Sequence, residues 1–281
     1  MTLLSFKQKL YATLESHYPT SEIDSFFKII LEDVLNLSKI DFALEPNKIV
    51  SDDKNTKIDQ IISRLAEHQP IQHLIGFTEF MDLKIMVNEH VLIPRPETEE
   101  LIRWILNDYS TAPNLDVLDI GTGSGCIPIA LSKSLNDANI NTIDISTKAI
   151  ETAKKNAEIN KVNINFIHQD ILTTNQFPQQ YDVIVSNPPY VRNLEKAEMQ
   201  KNVLEFEPHL ALFVEDNDPV IFYKKIAELA ISAIKPKGAL YYEINQYLGK
   251  ETIELLKQIG FKNIELKKDM FGNDRMIKAT F

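Results

Sequence analysis

The sequence predicts an α/β protein, a doubly wound and mostly parallel seven-stranded sheet preceded by a small N-terminal helical bundle. Three observations predict it. Short apolar runs alternate with helical stretches from residue 94 onward, a glycine-rich turn follows the first of those runs, and no glycine occurs before Gly76, where apolar residues recur at helical spacing.

The bundle rests on three apolar stripes: Phe6, Leu10 and Leu14; then Ile23, Phe26, Phe27, Ile30, Leu31 and Val34; then Ile58, Ile61, Ile62 and Leu65. Residues 1–70 are therefore expected to form a helical domain, broken internally by "SDDKN" (51–55), read as a polar loop. Pro70, Gly76, Asn88 and Pro94 then punctuate shorter alternating runs, which predicts a hairpin-like linker over 71–93. The second domain, 94–281, carries seven strand candidates: "LDVLDI" (115–120), "INTIDI" (140–145), "INFIHQ" (164–169), "YDVIVS" (181–186), "ALYYEI" (239–244), "KNIELK" (262–267) and "RMIKATF" (275–281). Most are separated by helical stretches such as "STKAIETAKKNAEIN", with Ser146 as its N-cap, and so form parallel βαβ units. Nothing helical separates the last two, which are expected to pair antiparallel.

Composition narrows the function. The chain is 44% hydrophobic and 25% charged, without repeats or low-complexity tracts, and no apolar run approaches the ~20 residues of a membrane span. One cysteine, Cys126, excludes an internal disulfide and a multi-cysteine metal cage, and suits a reducing, cytoplasmic compartment. The six histidines are scattered, with none paired at metal-ligand spacing, so no metal is expected. A net charge of -10 repels phosphate backbones and disfavours nucleic acid as a partner.

In a doubly wound sheet the ligand sits beyond the carboxyl ends of the strands. Three of the eight glycines fall at one such end, in "DIGTGSGC" (119–126), where the backbone must turn tightly and approach a ligand. Asp144 ends the next strand, near the ~20-residue spacing at which a carboxylate accepts both ribose hydroxyl hydrogens of a nucleoside. Asp170 ends the third strand and has two readings, a hold on an adenine amino group or a helix cap. The pattern G-x-G-x-G, in place of the dinucleotide G-x-G-x-x-G, favours S-adenosylmethionine over a pyrophosphate ligand.

The fourth strand runs into "SNPPYV" (186–191). Asn187 and Pro188 each precede a proline and are biased to extended backbone, and neither proline offers an N–H. The turn thus presents acceptors without neighbouring donors. The Asn187 side-chain oxygen and the Pro188 carbonyl are placed to receive the two hydrogens of a substrate NH2, aiming a nitrogen whose lone pair is otherwise delocalised. Tyr190 is read as a flat wall for the planar substrate group.

"LIPRPETEELI" (92–102), "DIGTGSG", "TIDIS", "SNPPYV", "EFEPHLALF" (205–213), "YYEI" and "GNDRMI" (272–277) stand in the order seen in the release-factor glutamine methyltransferases, the PrmC/HemK family, which this sequence resembles over residues 70–281. The resemblance implies a Rossmann-like class I S-adenosylmethionine-dependent methyltransferase domain with an N-terminal substrate-recognition domain. It implies methyl transfer to the side-chain amide nitrogen of the glutamine in the Gly-Gly-Gln loop of peptide chain release factors, tuning translation termination and leaving S-adenosylhomocysteine. By the same resemblance Gly121, Thr122, Gly123, Ser124, Gly125, Asp144, Ile171 and Asn187 contact the cofactor, and Asn187, Pro188, Pro189 and Tyr190 hold the glutamine. Relatives often carry an aromatic where Ile171 stands. Glu97 is read as pinning a loop, and Arg95 and Glu207 as either pinning loops or forming the site. A monomer without membrane or nucleic-acid partners is expected. The rival readings are an exocyclic-amine methyltransferase of DNA or RNA, in which the turn grips a flipped base, and a catalytically inactive binding module.

Overall fold

A computed structural model describes residues Met1–Phe281, which divide into two compact units. The first comprises Met1–Gly76 together with Gln200–Phe206, and the second Phe77–Met199 with Glu207–Phe281. The chain thus leaves the second unit after Met199 and re-enters it at Glu207, a return that the continuous 94–281 span does not anticipate. No helix is long and apolar enough to cross a membrane.

In the first unit, helices Leu3–Leu14, Thr20–Ile29 with its π-helical continuation Ile30–Val34, and Asp52–Ala66 bury the three predicted stripes in one core. Thr2 opens the first helix with a capping box: its hydroxyl accepts from Ser5 N–H at 3.1 Å, and Ser5 Oγ accepts from Thr2 N–H at 2.8 Å. "SDDKN" is not a loop. Its Asp52 and Asp53 form the first turn of the helix Asp52–Ala66, where their charges complement the exposed N–H groups and the positive end of the helix dipole. The unit also extends beyond residue 70, because Ile71 is buried in this core and starts the short helix Ile71–Ile75, which Gly76 ends with a left-handed φ of 85°.

The second unit opens with strands β1 (Phe77–Phe80) and β2 (Leu83–Met86), an antiparallel hairpin pairing Phe80 with Leu83. Both loop residues, Met81 and Asp82, have positive φ (49° and 60°), as a two-residue hairpin turn of matching twist requires, although neither is glycine. Glu99 accepts the Met81 N–H at 2.9 Å and holds the turn.

The remaining strands are β3 (Asp116–Ile120), β4 (Asn139–Asp144), β5 (Asn165–His168), β6 (Tyr181–Ser186), β7 (Val191–Arg192), β8 (Phe213–Val214), β9 (Ile234–Glu243), β10 (Asn263–Lys268) and β11 (Asp274–Thr280). Seven of them make one sheet in the order β10-β11-β9-β6-β3-β4-β5. It is parallel except for β11, which runs antiparallel to both β10 and β9. Two-residue alternation divides the core between its faces. Val117, Val183, Val185 and Tyr241 pack with helices Pro96–Asp108 and Cys126–Ser134, while Leu118, Ile120, Ile184, Leu240 and Tyr242 pack with helices Ile221–Ala233 and Gly249–Ile259.

The strand order places the site. From β3 the chain steps outward to β4 and β5, then crosses back to lay β6 on the other side of β3. A crevice opens at such a reversal, beyond the carboxyl ends of the two strands. Ile120 and Ser186, the last residues of β3 and β6, are register partners, and the Ser186 hydroxyl donates to the Ile120 carbonyl at 2.7 Å.

Candidate active site

The glycine-rich turn and the proline-rich turn leave the sheet side by side. Gly121, Gly123 and Gly125 all have positive φ (84°, 53° and 83°). A Cβ on Gly121 would stand 3.7 Å from the Asn187 carbonyl oxygen, so the two turns run close enough that a side chain there would just touch. A Cβ on Gly125 would come within 3.0 Å of the Ala153 Cβ and 3.1 Å of the Ile129 Cδ1, so helix packing as well as φ reserves that position for glycine. Buried Asn156 braces the loop from beneath: its amide donates to the carbonyls of Ser124 (2.8 Å) and Met86 (2.9 Å) and accepts the Met86 N–H at 2.7 Å.

Around these turns lies a cavity of ≈ 320 Å³, lined by Gly121, Thr122, Gly123, Ser124, Asp144, Asp170, Ile171, Asn187, Pro188 and Pro189. The predicted residues therefore converge, with two exceptions. Gly125 does not line the cavity, and neither does Tyr190. Its ring packs against the apolar core and its hydroxyl donates to Glu243 at 3.0 Å, because a phenol buried there needs an acceptor and the Glu243 carboxylate is within reach. The flat-wall role read from the sequence has no support in this placement.

Asp144 ends β4 with one carboxylate oxygen accepting from Gly123 N–H (2.9 Å) and the other from Ser146 N–H (2.8 Å). Asp144 also lines the cavity, and a carboxylate with about four acceptor sites has capacity beyond these two bonds for a ligand diol. Burial raises its pKa, against the opposing pull of these backbone N–H groups. Asp170 lies two residues beyond β5 and accepts from Leu172 N–H at 2.8 Å, so its carboxylate caps the short helix Ile171–Thr173 while lining the cavity. Ile171 is buried in the core on one side and contributes to the cavity wall on the other.

Further groups stand around the same strand ends, and Asp119, Thr98 and Glu243 among them carry no sequence signal. Asp119, the last charged residue of β3, is fully buried; Thr142 donates to its Oδ2 at 2.6 Å, whereas its Oδ1 has no hydrogen-bond partner. Burial pushes its pKa up to about 7, opposed by the neighbouring Thr142 and Thr122 hydroxyls. Thr98 and Glu243 meet across the sheet end, with the Thr98 hydroxyl donating to the Glu243 carboxylate at 2.6 Å and the Asn187 amide donating to the Thr98 oxygen at 3.3 Å. Glu207, 4% exposed, accepts from Ile93 N–H at 3.0 Å and from the Arg95 guanidinium at 2.5 Å, so this pair clamps the 93–95 segment at the cavity rim. Glu97 lies in the first turn of the helix Pro96–Asp108. Burial raises the Cys126 pKa to about 12, so this lining residue stays a thiol.

Charge decides which ligand suits the cavity. Asp144, Asp170 and Glu89 line it together with Lys148, buried Asp119 and Glu243 stand behind the same strand ends, and the Arg95 cation is spent on Glu207. A pyrophosphate would add negative charge to this set. A nucleoside carrying a sulfonium and an ammonium group complements it.

Sequence comparison agrees in detail. Residues 8–76 match the PrmC N-terminal domain and residues 101–207 the methyltransferase small domain. A release factor glutamine methyltransferase of Flavobacterium psychrophilum is 52% identical, with the alignment covering 100% of both chains. The chain belongs to the release factor glutamine methyltransferase family. Another of these glutamine methyltransferases, from Bacteroides thetaiotaomicron, is 42% identical over 95% of this chain and 96% of its own. Among solved structures, the hMettl16 catalytic domain in complex with the MAT2A 3'UTR hairpin 6 superposes with a TM-score of 0.56, at 17% identity over 82% of each chain. A methyltransferase from Pyrococcus furiosus gives 0.50, at 17% identity over 82% of this chain and 98% of its own. At that identity the two structures speak for the fold alone.

Proposed function

We propose that this chain transfers a methyl group from S-adenosylmethionine to the side-chain amide nitrogen of the glutamine in the Gly-Gly-Gln loop of peptide chain release factors. The observation that carries the reading is that two turns line one cavity at the strand-order reversal, one built of glycines beside a ribose-competent carboxylate and the other built of acceptors. The full-length relative named for release factor glutamine methylation supplies the substrate class.

S-adenosylmethionine brings an electrophilic methyl group on a positively charged sulfur. The residues that would hold it are Gly121 through Gly125, Asp144, Asp170 and Ile171. Asn187 and Pro188 act on the substrate. Their carbonyl oxygens accept the two hydrogens of the glutamine NH2, fix the nitrogen, and favour the pyramidal geometry in which its lone pair is directed. Positive charge grows on that nitrogen during transfer, and oxygen acceptors already in place stabilise it without reorganisation. No strong base is required, since the alkylated amide nitrogen is acidic and releases its proton to water. Pro188 and Pro189 contribute by what they lack: with no N–H beside it, the Pro188 carbonyl has no local donor competing with the substrate.

The test is mass spectrometry of a release factor incubated with this protein and S-adenosylmethionine. The expected product carries one methyl on the glutamine of the Gly-Gly-Gln loop. A release factor left unmodified, alongside methylated DNA or RNA, would overturn the substrate assignment in favour of an exocyclic amine.

A further inference from the structure

Asn187 reads the substrate correctly only if its amide is turned the right way. Rotated by half a turn, it offers an NH2 group where an oxygen is needed and repels the substrate hydrogens. Nothing in the two prolines that follow fixes that rotation. The structure places the fixing group elsewhere in the chain.

The Asn187 Nδ2 lies 3.3 Å from the Thr98 Oγ1, and the Thr98 Oγ1 lies 2.6 Å from the Glu243 Oε2. Thr98 is 2% exposed and Glu243 1% exposed, so water does not substitute for either partner. Counting protons then fixes the polarity. A threonine hydroxyl has a single proton, and an ionised carboxylate only accepts. Thr98 therefore donates its proton to Glu243 and faces Asn187 with lone pairs alone. The Asn187 end pointing at Thr98 must then be the NH2, which leaves Oδ1 directed away from Thr98. Tyr190 donates its own proton to the Glu243 Oε1 at 3.0 Å, so both carboxylate oxygens are engaged as acceptors by hydroxyl groups. Burial raises the Glu243 pKa, and the Thr98 hydroxyl, the Arg275 cation and the Tyr190 hydroxyl oppose that rise by favouring the ionised form.

We propose that Glu243 and Thr98 are positioning residues that set the amide orientation of Asn187, so that it presents an oxygen to the substrate NH2. The relay spans three segments: the end of β9, the first turn of the helix Pro96–Asp108, and the turn after β6. It rests on the reading of Asn187 as the acceptor for the glutamine amide, and it adds the reason that the acceptor faces correctly before substrate arrives.

The experiment compares Thr98→Val, Thr98→Ser and Asn187→Ala, and the double variant Thr98→Val with Asn187→Ala, in the full-length protein. Single-turnover methyl transfer is measured with saturating release factor, and S-adenosylmethionine binding by calorimetry. Valine preserves the shape of threonine and removes the hydroxyl, whereas serine keeps it. The expected results are a rate lower by roughly 10- to 100-fold in Thr98→Val, a rate within about 3-fold of wild type in Thr98→Ser, and cofactor affinity within about 2-fold in both. If Thr98 acts through Asn187, adding Thr98→Val to Asn187→Ala lowers the rate by less than about 3-fold more, since residues acting as one unit are not additive. A packing role predicts instead equal losses in both backgrounds, and that outcome overturns the proposal, as does a wild-type rate in Thr98→Val. The underlying reading fails separately, through a wild-type rate in Asn187→Ala alone. Should Thr98→Val fail to fold, Glu243→Gln combined with Tyr190→Phe tests the same polarity. With no phenol to serve, the glutamine NH2 competes for Thr98, and the rate should fall by a comparable factor at unchanged cofactor affinity, whereas an unchanged rate overturns the proposal.

Discussion

Replacing Asp119 by asparagine should make the protein more stable at pH 8 and confer progressively less advantage as the solution is acidified. The carboxyl is fully buried, one of its oxygens has no hydrogen-bond partner, and burial raises its pKa from 3.8 to about 7. Because the folded state holds this proton more tightly than the unfolded chain, the group contributes most to stability in acid. That contribution is lost as pH rises between about 4 and 7, with little change above. Each tenfold difference in proton affinity between the folded and unfolded states corresponds to about 1.4 kcal/mol, so the loss across the window is about 4 kcal/mol. Asparagine retains an oxygen for the Thr142 hydroxyl, places an NH2 where the unpartnered oxygen stood, and cannot ionise. The assay is urea unfolding followed by the fluorescence of Trp104. It is the chain's single tryptophan, 5% exposed in the core of the second unit, and so reports that unit without interference from the helical one. The quantity of interest is the variant-minus-wild-type difference at a series of pH values, which cancels the other titrating groups. A difference that stays flat from about pH 4 to about pH 8.5 would show that Asp119 titrates as an ordinary carboxyl and would refute the reasoning.

Three further outcomes follow from the geometry. Asp144→Ala removes both acceptors presented to a ribose and should weaken S-adenosylmethionine binding by about 1 to 3 kcal/mol, the scale of hydrogen bonds to a charged group, as read by calorimetry. Asn187→Ala should lower the single-turnover rate on the order of 100- to 1000-fold with a much smaller change in cofactor affinity, the pattern of an interaction that matters chiefly in the transition state. Gly125→Ala combines a left-handed backbone with a Cβ 3.0 Å from Ala153, and should destabilise the second unit by about 2 to 4 kcal/mol in the Trp104 unfolding assay.

How much of this is legible in the sequence depends on whether the information is local. The seven strands are readable because each is a short run with its own alternation or apolar continuity, and the antiparallel pairing of the last two follows from the missing helix between them. Gly121, Asp144 and Asn187 are readable because strand ends in such a sheet share one edge. The Glu243–Thr98–Asn187 relay is not, since its members come from distant parts of the chain and a threonine on a helix with a glutamate on a strand is ordinary in any window. Asn156 is hidden likewise in a helix whose polar residues all look solvent-facing. "SDDKN" misleads because the same short polar residues serve loops and helix starts, and only the apolar stripe that follows distinguishes them. The hairpin turn at Met81 and Asp82 lacks the glycine that announces such turns; the distant Glu99 secures it instead. The return of Gln200–Phe206 to the helical unit lies beyond any linear reading, because a segment's neighbours in sequence do not reveal its neighbours in space.

The position of β6 between β3 and β9 has a consequence for how the protein acquires its activity. A growing chain that has emitted β3 through β5 already has a sheet edge, a glycine turn and the Asp144 carboxylate, yet its β3 flank is bare. Closing that flank requires β6, and Glu243 then arrives only at the end of β9. The residues proposed to grip the cofactor, Gly121 through Ile171, are therefore translated before Asn187, Pro188 and Glu243, which complete the proposed substrate aim, although Thr98 precedes them all. A prematurely terminated chain ending before β9 would retain the residues of the nucleoside pocket and lack the group that turns Asn187, so it should methylate nothing efficiently. A ligand that bridges the β3 and β6 ends also ties together strands that close a long loop, so saturation with it at about 100 times its dissociation constant should add about 2.7 kcal/mol to the stability of the sheet centre. The order of translation and the order of catalysis thus run in the same direction along this chain.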